Sequence, residues 1–382
     1  MRKKGALCIL LVFIIIDFAS AINFTRVNIA WQYDPLAEVK VSSRAVSNGD
    51  EITIFYRIEA DSVNSWFFDF LLQENYTSES HTELTAYKLD TLSSNRDEQF
   101  IKISFNKSSN SLLALRISKP EVFYYHDTSL KNGSLPLPSI YPVDKEGLPI
   151  LENFINSSYY SWSGSDSFYA LQYQEAFSMA DLPMADMKPL APSIDIDSSF
   201  VFYDSAGFKE NHIYIVRPDS NATSSVTILR DAIYFPEFRK LSELIESMFY
   251  ITNEAEKKAL IGSNNLKQSF DAFWVNTYKS KFRARNAIRN YYGLVTQSNY
   301  LFTDFKQGWK TDRGMLFIVF GVPDEVYRSG NKEEWYYDNG PSFEFTIIST
   351  FFAPRTYALR RNLNLEEAWY ENISALRRGI NE

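Results

Sequence analysis

The sequence predicts a multidomain protein in which an all-β N-terminal half is followed by a C-terminal α+β domain. The chain has 382 residues, which is enough for two or three separate hydrophobic cores. Apolar residues alternate with a period of two as far as about residue 125 and recur every three or four residues after Pro236. The aromatic share of 16% also favours strands, because flat side chains pack well across a sheet.

Residues 1–21 have the composition of an export signal. A basic start at residues 2–4 precedes a short apolar run, and residues 19–21 form the small-residue site Ala-Ser-Ala. The run is shorter than the roughly 20 apolar residues that span a bilayer. We therefore expect export to the periplasm, cleavage before Ile22 and no transmembrane anchor afterwards. Cleavage also removes the only cysteine, Cys8, which excludes disulfides and thiolate metal sites from the mature protein.

Residues 22–126 are predicted to form an immunoglobulin-like β-sandwich that lacks the disulfide. Turn residues such as Ser47-Asn48-Gly49-Asp50 separate the strands. Alternating runs supply the strands, namely VNIAW (27–31), ITIFYRI (52–58), FIKISF (100–105) and LLALRI (112–117).

Residues 127–235 are predicted to form a second, smaller β-rich domain. Its strands are expected at SFYALQYQ (167–174), SSFVFYD (198–204), HIYIV (212–216) and SVTIL (225–229). A loop over 176–195 with three prolines interrupts them. The spacing of Met184 and Met187 would suit Cu(I), but a loop whose methionines rest on apolar surface is the favoured interpretation, so no metal is predicted.

Residues 236–382 are predicted to form the α+β domain. Helical periodicity extends to about residue 302, and Thr252 is the expected N-cap of the second helix. Strands are expected at 315–320, 333–338 and 342–348, followed by a last helix over 364–378. Helices that precede a small antiparallel sheet are typical of the α+β class.

The charge is unevenly distributed along the chain. Residues 22–235 hold 16 Lys/Arg against 28 Asp/Glu, whereas residues 236–382 hold 20 against 18. This difference predicts that the two parts attract and dock on each other. A net charge of −8 in an exported protein argues against nucleic acid as a partner. Five cations surround a helix start, where a solvated helix face is the default and docking onto the acidic half is the alternative: Lys279, Lys281, Arg283, Arg285 and Arg289.

The segment GWKTDRG, residues 308–314, resembles the signature of the GWxTD domain family. The likeness covers about residues 240–379. It includes Phe273-Trp274, the segment 287–292, Gly321-Val322-Pro323-Asp324-Glu325-Val326, Glu334-Trp335-Tyr336-Tyr337 and Trp369-Tyr370. This chain departs from the family after Phe273-Trp274, where VNTYKSKFRARN replaces an Arg-Asp-Pro segment. The resemblance implies an exported protein of Bacteroidota-like bacteria and no particular reaction or cofactor.

Each residue of this signature has a predicted structural role. Gly308 and Gly314 permit positive φ or close backbone approach. Trp309 should be buried with a partner for its indole N–H. Besides the glycines, the family motifs contain the following candidate binding residues: Trp309, Thr311, Asp312, Arg313, Pro323, Asp324 and Trp335. Thr311 and Asp312 are expected to accept turn N–H groups, while Pro323 and Asp324 should end the strand 315–320.

A catalytic interpretation depends on carboxylates. His81, His126 and His212 all precede the family segment, so a catalytic or metal-binding histidine is not expected within it. Asp312 and Asp324 flank a predicted six-residue strand, about 20 Å apart, which is too far for a glycosidase pair. Asp312 and Asp338 would meet if 315–320 and 333–338 formed a hairpin.

These observations favour a non-catalytic scaffold or binding module of the cell envelope that contacts protein or glycan. The alternative is a carboxylate-dependent hydrolase of envelope polysaccharide, with Asp312 and Asp338 as its candidate catalytic residues. The protein is predicted to be an enzyme only in that alternative, and no cofactor is expected.

Overall fold

The computed structural model describes residues 23–131, 135–186, 195–350, 352–353 and 355–378. The predicted export signal and its cleavage site at Ile22 lie outside the described residues, as does Met187. None of the helices within these ranges combines the length and apolar character needed to cross a membrane.

The first β-domain consists of two antiparallel four-stranded sheets. Their orders are β1-β2-β6-β5 and β4-β3-β7-β8, which correspond to the ABED and C′CFG sheets of immunoglobulin-like domains. This confirms the predicted sandwich. The strands are β1 (Val39–Asn48), β2 (Glu51–Ala60), β3 (Phe67–Gln73), β4 (Thr82–Glu83), β5 (Lys88–Ser94), β6 (Glu98–Asn106), β7 (Leu112–Lys119) and β8 (Val122–Ser129).

The core of this sandwich follows the period of two. Ile54 and Ile58 of one sheet face Leu113 and Leu115 of the other, and all four are fully buried. Trp66, which immediately precedes β3, is buried in the same core, much as a strand C tryptophan packs in immunoglobulin domains. Aliphatic and aromatic packing therefore holds the two sheets together.

The predicted strand over 27–31 is wrong. Residues 27–29 have no regular structure and lie between two 3₁₀ turns, Phe24–Arg26 and Ala30–Tyr33. The side chains of Asn23 and Asn28 explain the turns, because each accepts a hydrogen bond from the backbone N–H two residues further on (3.0 and 2.9 Å). This local bond competes with strand pairing, a preference of asparagine that outweighs the short apolar alternation.

The same segment packs on the C-terminal domain. Ile29, Ala30 and Tyr33 belong to that domain's hydrophobic core. The N–H of Ile29 donates to the carbonyl oxygen of Val326 (2.9 Å), and Asn28 Oδ1 accepts from the N–H of Val326 (3.0 Å). Residues near the start of the described chain therefore complete a core formed mainly by the last third of the sequence.

The second β-region contains a five-stranded sheet, β10-β16-β15-β12-β13, and a three-stranded sheet, β14-β11-β9. An aromatic core that includes Trp162 and Phe168 lies between them. All four predicted strands are present. The strands are β9 (Tyr141–Val143), β10 (Phe154–Ile155), β11 (Tyr159–Ser163), β12 (Phe168–Gln174), β13 (Ser198–Phe202), β14 (Ser205–Gly207), β15 (His212–Arg217) and β16 (Val226–Arg230).

The described part of the predicted Pro/Met loop lies against the C-terminal domain. Met179 and Met184 are partly buried on its hydrophobic core. The loop also accepts a backbone hydrogen bond at the carbonyl of Pro183 from the N–H of Asn362 (2.9 Å). For these two methionines the expected contact with apolar surface is confirmed.

The C-terminal domain has the predicted α+β order. Its sheet is an antiparallel meander, β17-β18-β19-β20. The elements are α1 (Leu241–Ser247), α2 (Glu254–Ile261), α3 (Leu266–Tyr278), α4 (Lys281–Phe302), α5 (Asp312–Phe320), β17 (Glu325–Ser329), β18 (Lys332–Tyr336), β19 (Ser342–Ile348), β20 (Thr356–Leu359) and α6 (Glu366–Arg378).

The N-cap of α2 is Asn253 and not Thr252. Asn253 Oδ1 accepts from the N–H of Glu256 (2.9 Å), and the Glu256 carboxylate accepts from the N–H of Asn253 (2.9 Å). This reciprocal capping box satisfies two N–H groups at once, whereas the Thr252 hydroxyl donates back to the carbonyl of Met248 (2.9 Å).

The predicted strand over 315–320 is also wrong, because these residues form most of helix α5. Thr311 caps the helix by accepting from the N–H of Gly314 (3.0 Å), and Gly321, with a φ of 81°, ends it. Residues 314–319 are all buried, so the segment shows an unbroken apolar run without a helical stripe. Such a run does not distinguish a buried strand from a buried helix.

Candidate functional site

The GWxTD signature folds into a 3₁₀ turn, Gly308–Lys310, that leads through Thr311 into α5. Trp309 is fully buried, and its indole N–H donates to Gln307 Oε1 (2.8 Å). Its backbone N–H donates to Asn299 Oδ1 on α4 (3.1 Å), and its carbonyl accepts from the hydroxyl of Tyr250 (3.1 Å). The predicted burial and indole partner are confirmed, and every polar group of Trp309 is bonded within the protein.

Gly308 and Gly314 are required by close backbone approach. A Cβ on Gly308 would collide with the carbonyl oxygen of Ser298, and a Cβ on Gly314 would collide with that of Gly308. Both contacts are with backbone, which cannot rotate away. Of the two alternatives that the sequence left open, the structure selects close approach over positive φ.

Two side chains tie the turn to the second β-region. Lys310 Nζ forms an ion pair with Glu175 (3.1 Å), and both side chains are about nine-tenths buried. Gln307 Nε2 donates to Asp231 (2.7 Å), so the same amide bridges Asp231 and the indole of Trp309. Burial raises the pKa of Asp231, although the bond from Gln307 opposes this rise.

Asp312 is bound on both carboxylate oxygens. One oxygen accepts from the N–H of Leu359 on β20 (2.8 Å), and the other forms an ion pair with Arg361 (2.6 Å). The Asp312 and Arg361 side chains are 14% and 13% exposed. Arg361 also donates to the carbonyl of Asp181 in the Pro/Met loop (2.9 Å). Asp312 therefore fixes the last strand and the loop to the start of α5.

Asp312 and Asp338 were expected to meet only if residues 315–320 formed a strand, and these residues form helix α5 instead. Asp338 is exposed, and its backbone N–H donates to Asp324 Oδ2 (2.6 Å). Asp324 lies between α5 and β17 and thus binds the segment that follows β18, and Pro323 beside it is buried. Asp324 accepts this backbone N–H, but it precedes β17 and does not end a strand, because residues 315–320 are helical.

Arg313 leads to a buried charged cluster that we call the Glu333 cluster, formed by Tyr33, Asp127, Arg313, Arg328 and Glu333. Glu333 is fully buried and accepts hydrogen bonds from Tyr33 (2.9 Å), Arg328 (2.5 and 2.9 Å) and the indole of Trp335 (2.9 Å). Arg313 lies 3.6 Å away. Burial disfavours the carboxylate, but the two arginines hold the pKa of Glu333 below its usual range.

Asp127 connects the Glu333 cluster to the β-sandwich. It accepts from the hydroxyl of Tyr76 (2.7 Å) and forms an ion pair with Arg328. Burial alone would raise the pKa of Asp127, but Arg328 lowers it to about 2. The ion pair between Asp127 and Arg328 is a charged contact between residues 22–235 and residues 236–382. The 3₁₀ turn at Tyr33 and the contacts of β17 also join these two parts of the chain.

Sequence reasoning missed Tyr33, Asp127, Arg328 and Glu333. A signal existed in β18, where Glu333 shares the buried face with Trp335. A carboxylate placed beside a buried tryptophan at a spacing of two requires a buried partner. The identity of that partner was not accessible, because Tyr33 lies 300 residues away.

The five cations at the start of α4 do not form the contact between the two parts. Lys279, Lys281, Arg283, Arg285 and Arg289 are all exposed, and none has an ion pair with another described residue. The solvated helix face that the sequence favoured is therefore observed, and the docking alternative is wrong for these side chains.

One serine–histidine pair lies outside the family segment. Ser43 Oγ is 3.0 Å from His126 Nε2, beside a crevice of about 320 Å³ between the sandwich and α4. His126 Nδ1 is buried and has no partner among the described residues, whereas a catalytic base needs an orienting carboxylate there. Burial also lowers the pKa of His126 to about 4. The pair lacks the third member of a triad.

A further concave surface lies elsewhere on the C-terminal domain. A groove of about 740 Å³ runs between α2, α3 and α6. Leu260, Phe273 and Ile373 form its buried floor, and Tyr370, with 53% of its surface exposed, stands on its rim. Within the described residues no group of three or more His, Cys, Asp or Glu side chains is arranged to hold a metal ion.

The fold and these contacts define a multidomain protein in which two β-domains contact an α+β domain, one through the Glu333 cluster and the other through the buried glycine–tryptophan turn. Residues 212–378 match the family model of the GWxTD domain, so the chain contains a GWxTD domain. The match begins earlier than the sequence likeness, and so includes β15 and β16 of the second β-region. Comparison with curated protein sequences gives no match.

Proposed function

We propose that this protein is a non-catalytic binding module of the bacterial cell envelope, exported through residues 1–21 and retained in the periplasm after cleavage before Ile22. The composition of the N-terminus and the family's association with exported proteins of Bacteroidota-like bacteria support the location. Its partner is an envelope protein or glycan.

The observation that carries the non-catalytic proposal is the saturation of the motif. Asp312 uses both oxygens for Leu359 and Arg361, and Lys310 is paired with Glu175. Glu333 is enclosed and receives four donors. A general acid or base needs an accessible carboxyl group within reach of a substrate. These side chains are instead bonded to the protein itself.

The groove supports the binding proposal. It is separate from the motif, lies among three helices and exposes apolar and cationic side chains at its walls. Glu256, the one carboxylate among the described residues that line it, is held in an ion pair by Arg377 (2.6 Å). A concave surface of this kind with few charged acceptors is suited to hold a partner and has no carboxylate pair for hydrolysis.

Immobilised full-length protein tests the proposal against an envelope extract. We expect the protein and its Asp338→Asn variant to retain the same partner, and the variant Ala272→Trp, which fills the groove at an exposed wall position, to lose it. Incubation with envelope polysaccharide should give no new reducing ends. Release of oligosaccharide by the protein, but not by Asp312→Asn, would establish the hydrolase instead.

A further inference from the structure

The groove is lined by one face of each of two helices. Ser269, Ala272 and Asn276 place one face of α3 along it over two turns, and Tyr370, Ser374 and Arg377 do the same on α6. Residues at this spacing lie on one face of a helix. Because Ser269, Ala272 and Ser374 on these walls are small and the floor is apolar, another helix can approach closely and bury its own apolar residues.

Unpaired cations gather at one end of this groove. The hydroxyl of Tyr278 donates to the carbonyl of Leu376 (2.9 Å), so the carboxyl ends of α3 and α6 lie together. Lys279 and Arg378 project from these two ends, line the groove and have no ion pair with a described residue. Arg377, which directly precedes Arg378, is already paired with the Glu256 carboxylate.

The positive surface continues onto α4, where it does not stabilise the helix. Lys281 and Arg283 lie in the first turn of α4, which holds no acidic residue. The positive end of the helix dipole disfavours cations there, whereas cations at the ends of α3 and α6 are favourable to those helices. Phe282, which lies between Lys281 and Arg283 in the sequence, is 72% exposed. Helix stability therefore does not account for the basic residues at the start of α4.

We propose that the groove between α2, α3 and α6 binds an acidic amphipathic helix of a partner protein, with the partner's carboxylates at Lys279, Arg378 and the start of α4. This inference rests on the proposed binding function and specifies its partner. Leu260, Phe273 and Ile373 receive the apolar face of that helix, in the manner of helix-in-groove recognition. This apolar floor favours a peptide over a glycan.

A labelled helical peptide with leucines on one face and glutamates on the other is the probe. Its controls are a peptide with lysine in place of glutamate, and one with the same composition but scattered leucines. The protein has a net charge of −8, so non-specific attraction favours the lysine peptide. We expect the full chain to bind the glutamate peptide at least about tenfold more tightly than either control, and less tightly as salt rises.

Three variants locate the binding. The double reversal Lys279→Glu with Arg378→Glu should weaken binding about tenfold or more, and Ala272→Trp should abolish it. Lys145→Glu, a reversal at a side chain that is 88% exposed in the second β-region, should leave it unchanged. All four positions are exposed, so we expect every variant to fold, and thermal melts verify this. Equal or tighter binding of the lysine peptide, or binding that survives Ala272→Trp, would overturn the proposal.

The extract experiment separates this inference from the proposed function. If envelope capture persists while the glutamate peptide fails to bind, the protein is a binding module and the acidic-helix inference is wrong. If neither the extract nor the peptide yields a bound partner, the proposed binding function and the acidic-helix inference are both wrong.

Discussion

The segment from the 3₁₀ turn to the start of α5 and the groove between α2, α3 and α6 are two regions of one domain that differ in burial and in bonding. In the turn, Trp309 is fully buried and both oxygens of Asp312 are bonded. In the groove, Tyr370 is half exposed, and Lys279 and Arg378 have no ion pair with a described residue. A residue whose bonding capacity is used inside the protein contributes to stability, whereas an unpaired residue on a concave surface remains available to a partner. The most recognisable stretch of the sequence is therefore the structural region.

Trp309→Ala should have the largest effect. The substitution removes a fully buried indole and leaves Gln307 Oε1 without its indole donor, whereas the backbone bond to Asn299 remains possible. We expect the free energy of unfolding to fall by about 3–5 kcal/mol. Tyr370→Ala is the matched change in the groove and should cost less than about 0.5 kcal/mol. Chemical denaturation of both variants measures the difference, and similar losses would erase the distinction between the regions.

Gly314→Ala should have the next largest effect. The added methyl group meets the carbonyl oxygen of Gly308 and the hydroxyl of Ser298, so α5 or the turn must shift. We expect a loss of about 2–3 kcal/mol. Gly293→Ala on α4 is the control, because a Cβ there meets nothing within 4 Å. That change should stabilise the protein by up to about 1 kcal/mol, since alanine favours a helix over glycine.

Acid should weaken the contact between the β-sandwich and the C-terminal domain. The pKa of Asp127 is about 2 in the folded protein, below its ordinary value of 3.8, because Arg328 outweighs the effect of burial. A depressed carboxyl pKa contributes stability above the ordinary value, and this contribution is lost as pH falls towards 2. The loss amounts to about 2 kcal/mol. Unfolding measured from pH 6 to pH 2 should show it.

Asp127→Asn provides the control for this pH dependence. The variant should be less stable at neutral pH and should lose less stability between pH 5 and pH 2. Asp338→Asn, at an exposed carboxylate, should retain the full dependence. An Asp127→Asn variant that is as acid-sensitive as the parent would show that the transition arises elsewhere.

The order and class of most elements could be predicted from the sequence. Ile54, Ile58, Leu113 and Leu115 alternate as a two-sided sandwich requires, and β18 and β19 lie where their patterns indicate. Periodicity is a local property that burial on one face imposes, so it survives without knowledge of the partner.

Two kinds of information were missing from the local pattern. The residues 314–319 are all buried, so no stripe distinguished the helix from a strand. The Glu333 cluster joins Tyr33 to a residue 300 positions later, and the position of Arg361 opposite Asp312 depends on where β20 ends. Such contacts are set by tertiary packing, which a single sequence does not specify.

The central claim is that Asp312 is a structural residue, and the free energy of unfolding of Asp312→Asn tests it most directly. The amide keeps an acceptor for the N–H of Leu359 but leaves Arg361 without its charged partner at a site where both side chains are largely buried. The account predicts a loss of about 1–2 kcal/mol for the full chain, with Asp338→Asn within about 0.5 kcal/mol of the parent. An Asp312→Asn variant as stable as the parent, or more stable, would contradict the account and indicate a carboxylate retained for chemistry.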